Sequence, residues 1–258
     1  DNVIAGNGED GIRVDAGEVP LPNYIMGNRI GLGLVAGSHV GNDDNGVYTN
    51  TRASDGSTPG TLPNPFGTSL YIGPSNEISD NQGMVSNSTP TGPDDPSFDV
   101  YAGVYLTSNS HQIKVIGNTI GLASFGGSLQ ASNAYGNAGD GIIVTSSDNM
   151  IGGTAASDAN VIAGNTRHGM VVRGSAVTGT RILGNYLGVH PGLPSNFAIG
   201  NALDGVLVNS SLVNVIGGNA AGEANTIAGN GRHGVSVRKS STGLTIGWGN
   251  LVQQNRIF

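Results

Sequence analysis

The chain of 258 residues contains no cysteine, only two lysines and few aromatic side chains. Without cysteine, neither disulfide bonds nor thiolate metal sites are available, so packing and hydrogen bonds must hold the fold together. Charged residues make up 11% of the sequence, and the formal net charge is −7. We therefore expect no nucleic-acid partner, because phosphate binding needs clustered lysine and arginine.

Long hydrophobic runs are also missing. No apolar stretch approaches the roughly 20 residues of a membrane-spanning helix, so no membrane span is expected. No segment has the 3.6-residue apolar period of an amphipathic helix either. The apolar residues instead form short clusters rich in valine, isoleucine and leucine, which end in glycine or asparagine. This pattern predicts an all-β protein of short strands separated by turns.

Glycine and asparagine are abundant, with 44 and 28 copies, and they recur in fixed phrases. The phrase Asn160–Asn165 (NVIAGN) returns as Asn225–Asn230 (NTIAGN), 65 residues later, and Asn2–Asn7 (NVIAGN) opens the chain. A constant offset of this kind is typical of stacked repeats, in which each unit buries its apolar face against its neighbours.

The 65-residue unit divides into two coils of about 30–35 residues, each with three short strands. In the first coil, strands are predicted around Ile182, Leu187 and Val206; in the second, they are predicted around Ile216, Ile227 and Val235. Residues 1–258 are thus predicted to form a single domain, a right-handed parallel β-helix of about eight three-strand coils. Stacked asparagine side chains would form hydrogen-bonded ladders between coils.

The repeat pattern is interrupted between residues 49 and 99, which hold seven of the eleven prolines. We expect this segment to be an irregular insertion of protruding loops, in which residues 72–85 can still belong to a coil. Loops of this length are commonly functional, so the segment is the predicted contact surface.

The phrases Asn149–Ala156 (NMIGGTAA), Asn160–Asn165 and Gly184–Gly188 (GNYLG) resemble the right-handed parallel β-helix repeats of bacterial secreted and cell-surface proteins, in the pectate-lyase-like superfamily. The resemblance covers residues 1–48 and 100–258. It implies the fold and its handedness, but the superfamily includes adhesins, surface-layer components, phage tailspikes and polysaccharide lyases, hydrolases and epimerases. Function therefore stays open at this point.

Four residues form the strongest candidate site, because each one directly precedes the glycine that opens a third strand. They are Asp140, His168, Asp204 and His233, and Asp10 occupies the matching place near the start of the chain. Stacking would align them as a column in which carboxylates face imidazoles. One interpretation is a general acid/base cluster centred on Asp204. The other is structural: a short polar residue is favoured before a left-handed glycine, and alternating signs avoid repulsion.

Arginines accompany this column and are candidates for binding an acidic polysaccharide. Arg167 and Arg232 precede the two histidines, and Arg173 and Arg238 lie five residues after them. Since an enzyme site is normally singular, whereas these residues recur with the repeat, the pattern favours a ladder or a periodic surface.

Other acidic pairs offer weaker signals. Asp43-Asp44 resembles the paired aspartates of polygalacturonase-type glycosidases, but almost 190 residues separate it from His233, so the groups would not converge on one bond. These pairs, with Glu9-Asp10 and Asp94-Asp95, offer oxygen ligands for an opportunistic calcium ion. No cofactor and no dedicated metal site are expected, since no calcium-binding repeat or EF-hand is present.

Taken together, the sequence favours a non-enzymatic, extracellular or cell-surface scaffold or adhesin. It would either stack end to end with its own copies into filaments or be part of a longer surface protein, since the chain begins with neither methionine nor a signal peptide. The alternatives are a polysaccharide-active enzyme or carbohydrate-binding module, and a tailspike-like trimer. Whether the chain is an enzyme stays undecided at this stage.

Overall fold

A computed structural model describes residues 2–19, 23–53, 70–82, 101–130, 132–193, 199–238 and 248–258. These residues form 24 strands and two single 3-10 turns, Asn133–Tyr135 and Ala156–Asp158. The strands are β1 (Asn2–Ile4), β2 (Ile12–Val19), β3 (Asn23–Ile25), β4 (Asn28–Ile30), β5 (Val47–Ala53), β6 (Leu70–Ile72), β7 (Glu77–Ile78), β8 (Ala102–Leu106), β9 (Lys114–Val115), β10 (Thr119–Ile120), β11 (Ala123–Phe125), β12 (Ser128–Gln130), β13 (Asp140–Val144), β14 (Met150–Gly152), β15 (Val161–Ile162), β16 (Met170–Arg173), β17 (Arg181–Leu183), β18 (Tyr186–Leu187), β19 (Val206–Asn209), β20 (Val215–Ile216), β21 (Thr226–Ile227), β22 (Val235–Arg238), β23 (Leu251–Val252) and β24 (Arg256–Ile257).

Three parallel sheets contain all of these strands except β11 and β12. Sheet 1 has the order β1-β4-β7-β10-β15-β18-β21-β24, sheet 2 has β2-β5-β8-β13-β16-β19-β22, and sheet 3 has β3-β6-β9-β14-β17-β20-β23. The chain therefore visits sheets 1, 2 and 3 in the same cyclic order throughout, and we call each such set of three strands a coil. The fold is all-β, as expected, and a parallel β-helix fits this arrangement.

Register between neighbouring coils is exact where the sequence predicted it. Ile182 pairs with Ile216 in sheet 3, Leu187 with Ile227 in sheet 1, and Val206 with Val235 in sheet 2. The predicted strands of both coils in the 65-residue unit are thus confirmed. Like side chains fall in line because the register of each strand pair is set by which alternate residues face the interior.

The core is a narrow column of branched aliphatic side chains from the three sheets. Most of its members are fully buried, including Ile151, Ile162 and Val172 on three different sheets. Each strand is too short to bury much surface by itself, so the apolar contacts come from the coils above and below.

Two asparagine ladders run along the described coils, as the sequence predicted. In each ladder the side-chain Nδ2 of one asparagine donates a hydrogen bond of 2.7–3.2 Å to the Oδ1 of its counterpart in the next coil. The first ladder is Asn2, Asn28, Asn76, Asn118, Asn160, Asn185, Asn225 and Asn255. The second is Asn7, Asn42, Asn81, Asn137, Asn165, Asn201 and Asn230.

The expectation that residues 49–99 form an irregular insertion is wrong for the part that the structure describes. Residues 49–53 belong to β5, and residues 70–82 contain β6 and β7. Ile72 and Ile78 are fully buried in the core, and Asn76 and Asn81 are members of the two ladders. Residues 72–82 thus continue the coil, whereas 54–69 and 83–100 lie outside the described residues.

A two-coil period follows from the turns between sheets 3 and 1. The turns at residues 153–160 and 217–225 are long, whereas those at 116–118 and 184–185 are short. Each long turn folds over a short neighbour: Gly117 N donates to the carbonyl of Asp158 (2.9 Å), and Gly184 N donates to the carbonyl of Glu223 (3.1 Å). Long and short turns alternate here, so the sequence repeats every two coils.

Candidate functional site

The structure stacks the four predicted residues Asp140, His168, Asp204 and His233 in consecutive coils. Each lies two residues before a paired position of sheet 2: Ile142 pairs with Met170, Met170 with Val206, and Val206 with Val235. The same register extends the column in the other direction through Ala102, Asn45 and Asp10. The predicted order of aspartate and histidine along the column is therefore correct.

Each polar side chain of the column accepts a hydrogen bond from the backbone amide of the next member. His168 N donates to Asp140 Oδ1 (2.8 Å), Asp204 N to His168 Nδ1 (3.1 Å), and His233 N to Asp204 Oδ1 (3.1 Å). Asn45 N likewise donates to Asp10 Oδ1 (3.2 Å). This is an acceptor ladder that satisfies backbone donors between coils, where an unpaired buried N–H would be costly.

Ala102 tests this interpretation, because alanine has no acceptor. Its own amide donates to Asn45 Oδ1 (2.8 Å), as the ladder requires. The amide of the next member, Asp140, donates instead to the carbonyl of Tyr101 (3.1 Å). Where the side-chain acceptor is missing, a backbone carbonyl replaces it.

The imidazole of His168 is fully enclosed, with 1% of its side chain exposed. Because Nδ1 accepts the amide hydrogen of Asp204, the ring proton is on Nε2. The Asp204 carboxylate lies somewhat farther from Nδ1, at 3.4 Å. Nε2 is buried and has no hydrogen-bond partner among the residues that the structure describes. A ring held in this way cannot reach a substrate in solution.

Asp204 is the electrostatic centre of the column, and its carboxylate is completely buried. His233 Nδ1 lies 2.7 Å from Oδ1, Arg238 Nη2 lies 3.2 Å from Oδ2, and Arg232 Nε lies 3.9 Å from Oδ1. Burial by itself would raise the pKa of Asp204, but the neighbouring His168 and His233 outweigh it and hold the pKa well below its ordinary range. The group is therefore an anion at neutral pH and no proton donor.

Asp140 is a second buried carboxylate of the column. It accepts the amide hydrogen of His168, and Arg167 Nε lies 3.7 Å from its Oδ1. Arg167 is 10% exposed, and it faces inward like Arg232 and Arg238. Three of the four arginines predicted to bind polysaccharide thus lie beside column aspartates. The fourth, Arg173, is in register with Asn209 on β19.

The glycines next to the column have a different role from the one expected. None of those after Asp140, His168 and Asp204 has a positive φ, so the expectation of a left-handed glycine is wrong. At Gly205 a Cβ atom would lie 2.7 Å from the carbonyl oxygen of Gly234, closer than such atoms approach. These positions need glycine because the next coil's backbone comes too near for a side chain.

His233 is the exposed end of the column within the described residues. It is 58% exposed and lies beside β22, the last described strand of sheet 2. Of the four candidate residues, only His233 is in a position to contact a molecule in solution. The chemistry available there is one imidazole against a carboxylate that is itself inaccessible.

The remaining acidic pairs stay apart from the column. Asp43 and Asp44 precede β5, their amides donating to the carbonyls of Asn7 and Glu9, five coils from His233. Burial raises the pKa of Asp44, and repulsion from Asp10 and Glu9 adds to the effect. Within the described residues no three acidic or histidine side chains are close enough to hold a metal ion, and Asp94-Asp95 lies outside them.

The sequence analysis missed one carboxylate–imidazole pair. Asp80 is buried and has a positive φ of 58°, and its Oδ1 lies 3.0 Å from Nδ1 of the half-exposed His39. Burial raises the pKa of Asp80 although His39 counteracts it. The His39 ring stacks on Tyr135 at 5.1 Å. The two residues are far apart in sequence and outside the 65-residue repeat, so no spacing pattern connects them.

A comparison of the chain with protein-family models, with curated proteins and with solved structures finds no match in any of the three. Across the described ranges, no helix has the length and apolar character needed to cross a membrane.

Proposed function

We propose that this chain is a rigid, non-enzymatic scaffold or adhesin at the cell surface or outside the cell. Its fold would be a single right-handed parallel β-helix domain of about eight coils. The observation that carries the proposal is the acceptor ladder: the only constellation of acid and base groups predicted from the sequence is occupied by backbone hydrogen bonding between coils. The extracellular location is supported by the scarcity of lysine and the abundance of asparagine, glycine, serine and threonine.

Catalysis by the column is disfavoured on three physical grounds. Asp140, His168 and Asp204 are each fully buried, so no substrate atom can reach them. The low pKa of Asp204 removes it as an acid at neutral pH. The cleft of about 230 Å³ that the described residues enclose lies between sheets 3 and 1 and is lined by none of the column residues. A reaction site should combine accessible groups with a cavity, and here the two are separate.

The alternatives of a polysaccharide-active enzyme, a carbohydrate-binding module and a tailspike-like trimer are kept as outcomes of the test. What supports the first two is the cluster of His233, Arg232 and Arg238 around Asp204, partly exposed at the last described coil. Its arginines are held by a buried anion, which reduces their capacity to bind a second one.

Self-association by end-to-end stacking is constrained by the strand count. Sheet 1 has eight described strands, whereas sheets 2 and 3 have seven each, because β1 and β24 both belong to sheet 1. A second copy whose β1 pairs with β24 would leave one strand position empty in each of the other sheets. Regular filaments of this chain therefore need additional strands, which a longer parent chain could supply; the scaffold role itself needs neither arrangement.

A degradation screen tests the proposal. The purified chain is incubated with a panel of acidic and neutral polysaccharides, and product release is measured for the wild type and for His168→Asn and His233→Asn. We expect no product above the blank from any of the three proteins. His190→Asn is a matched control, since His190 lies in the turn after β18 and outside the column.

Turnover by the wild type that disappears in a folded His233→Asn protein, but not in His190→Asn, would overturn the proposal in favour of an enzyme. Saturable binding of an intact polysaccharide that is lost in His233→Asn would favour the carbohydrate-binding module. A trimeric mass in sedimentation would favour the tailspike-like alternative.

A further inference from the structure

A cleft opens where the two long turns of the 65-residue repeat face each other. The walls are Ala155, Ala156 and Ala159 on one turn and Gly222 and Ala224 on the other. Both turns carry the same Gly-Gly…Ala-Ala phrase, 65 residues apart, so the repeat itself builds the two walls. Between them the turn at Gly184 is short and recessed, and this leaves the space of about 230 Å³.

Three neighbouring strands of sheet 1 present polar groups to this cleft. Tyr186 on β18 is in register with Thr226 on β21, which is in register with Arg256 on β24. All three line the cleft, together with Thr154. The lining thus combines methyl groups on the walls with hydroxyl groups and one guanidinium, the mixture of apolar surface and few polar groups that is typical of small-molecule sites.

The electrostatics of the cleft are positive because the nearby acids face elsewhere. Arg256 is the only charged residue of the lining, and it forms no ion pair with any described residue. Glu223 instead pairs with Arg181 (3.3 Å) and accepts the amide hydrogen of Ala220 (3.0 Å). Asp158 folds back over its own turn, with Oδ2 2.5 Å from where a Cβ of Gly153 would be. An anionic ligand would meet a guanidinium without a competing carboxylate.

We infer that this cleft, which we call the turn cleft, binds a small aliphatic carboxylate. The carboxylate would pair with Arg256 and accept hydrogen bonds from the hydroxyls of Tyr186 or Thr226, and the aliphatic part would lie against the alanine methyl groups. The volume is below the about 300–1,000 Å³ typical of drug-sized ligands, so only a small molecule fits. This site is independent of the scaffold role, since it uses none of the column residues.

A titration followed by two-dimensional amide NMR tests the inference, with propionate as the probe. Propionamide serves as the neutral analogue of the same shape, and inorganic phosphate as an anion without an aliphatic part. We expect saturable shifts at the amides of Tyr186, Ala224 and Thr226 at millimolar propionate, and far smaller shifts with propionamide. Arg256→Gln should weaken propionate binding about tenfold or more, because a charged hydrogen bond is lost.

Two further variants keep the test decisive. Arg13→Gln makes the same chemical change in the first coil, far from the turn cleft, and should leave affinity unchanged. Ala224→Leu fills the turn cleft without changing charge and should abolish binding, the spectrum of the remaining residues showing that the fold is retained. The absence of saturable shifts, equal affinity for propionamide, tighter binding of phosphate, or unchanged affinity in Arg256→Gln would each overturn the inference.

Discussion

At the scale of single residues, one position of the repeat is filled by aspartate, asparagine or histidine for the same reason. Each of these side chains places an acceptor atom where the next coil presents a backbone amide, as Asp140, His168 and Asp204 show in succession. Imidazole and carboxylate are thus interchangeable here as acceptors, although their charges differ. An arrangement that looks catalytic in sequence is explained by backbone hydrogen bonding.

Asp204 provides the sharpest test at this scale. Because its pKa in the folded protein is below the ordinary value of 3.8, its contribution to stability is fully present above that pH and is lost as pH falls toward the folded pKa. Asp204→Asn should lower the free energy of unfolding by about 2 kcal/mol at pH 7, through loss of charged hydrogen bonds. The difference between variant and wild type should shrink below about pH 4.

Urea unfolding measured between pH 2 and pH 7 checks this prediction. Asp15→Asn is the control, since the pKa of Asp15 is also lowered, by a hydrogen bond from Arg13, but the carboxylate is on the surface. Its effect should be clearly smaller. Equal effects of the two substitutions, or a difference for Asp204→Asn that does not change with pH, would contradict the role given to Asp204.

At the scale of elements, the asparagine ladders explain how strands of two or three residues form stable sheets. Asn160 has four side-chain hydrogen bonds: Oδ1 accepts from both nitrogens of Asn118, and Nδ2 donates to Val115 O and Asn185 Oδ1. Each turn between sheets 3 and 1 is thereby tied to the coil on either side. The buried amide groups are satisfied without water.

Asn160→Ala should therefore lower the free energy of unfolding by about 3 kcal/mol, because several buried polar groups lose their partners. Asn2→Ala is the matched control at the exposed end of the same ladder, where the side chain donates one hydrogen bond to Asn28 (3.0 Å). Its effect should stay below about 1 kcal/mol. Thermal and urea unfolding of both variants measure the contrast. A similar loss in both would show that the ladder does not stabilise the interior more than the end.

The sequence predicted those elements whose spacing is constant and missed those whose spacing is not. The members from Asp140 to His233 were found because the 65-residue offset aligns them. Asn45 and Ala102 were missed, since insertions place them 35 and 57 residues from their ladder donors and acceptors. The antiparallel pair β11–β12 was also missed, although Gly126-Gly127 between its strands is a known hairpin signal. Proline-rich flanks concealed β6 and β7.

At the scale of the whole molecule, stability depends on contacts between neighbouring coils. Val206 and Val208 in sheet 2 are fully buried by the coils on both sides, whereas Val237 on the last described strand of that sheet is 46% exposed. Interior coils are therefore the most stable part of the described chain, and the columns bind each one to the next. The scaffold role and the buried column have the same physical basis, a stack held by side-chain acceptors in register.

The central claim is that the column is an acceptor ladder, and amide hydrogen exchange at Asp204 tests it most directly. In the wild type this amide should be strongly protected by Nδ1 of His168. His168→Ala should lower its protection selectively, while His168→Asn, which keeps a side-chain acceptor, should restore most of it. Unchanged protection of the Asp204 amide in a folded His168→Ala protein would contradict the account.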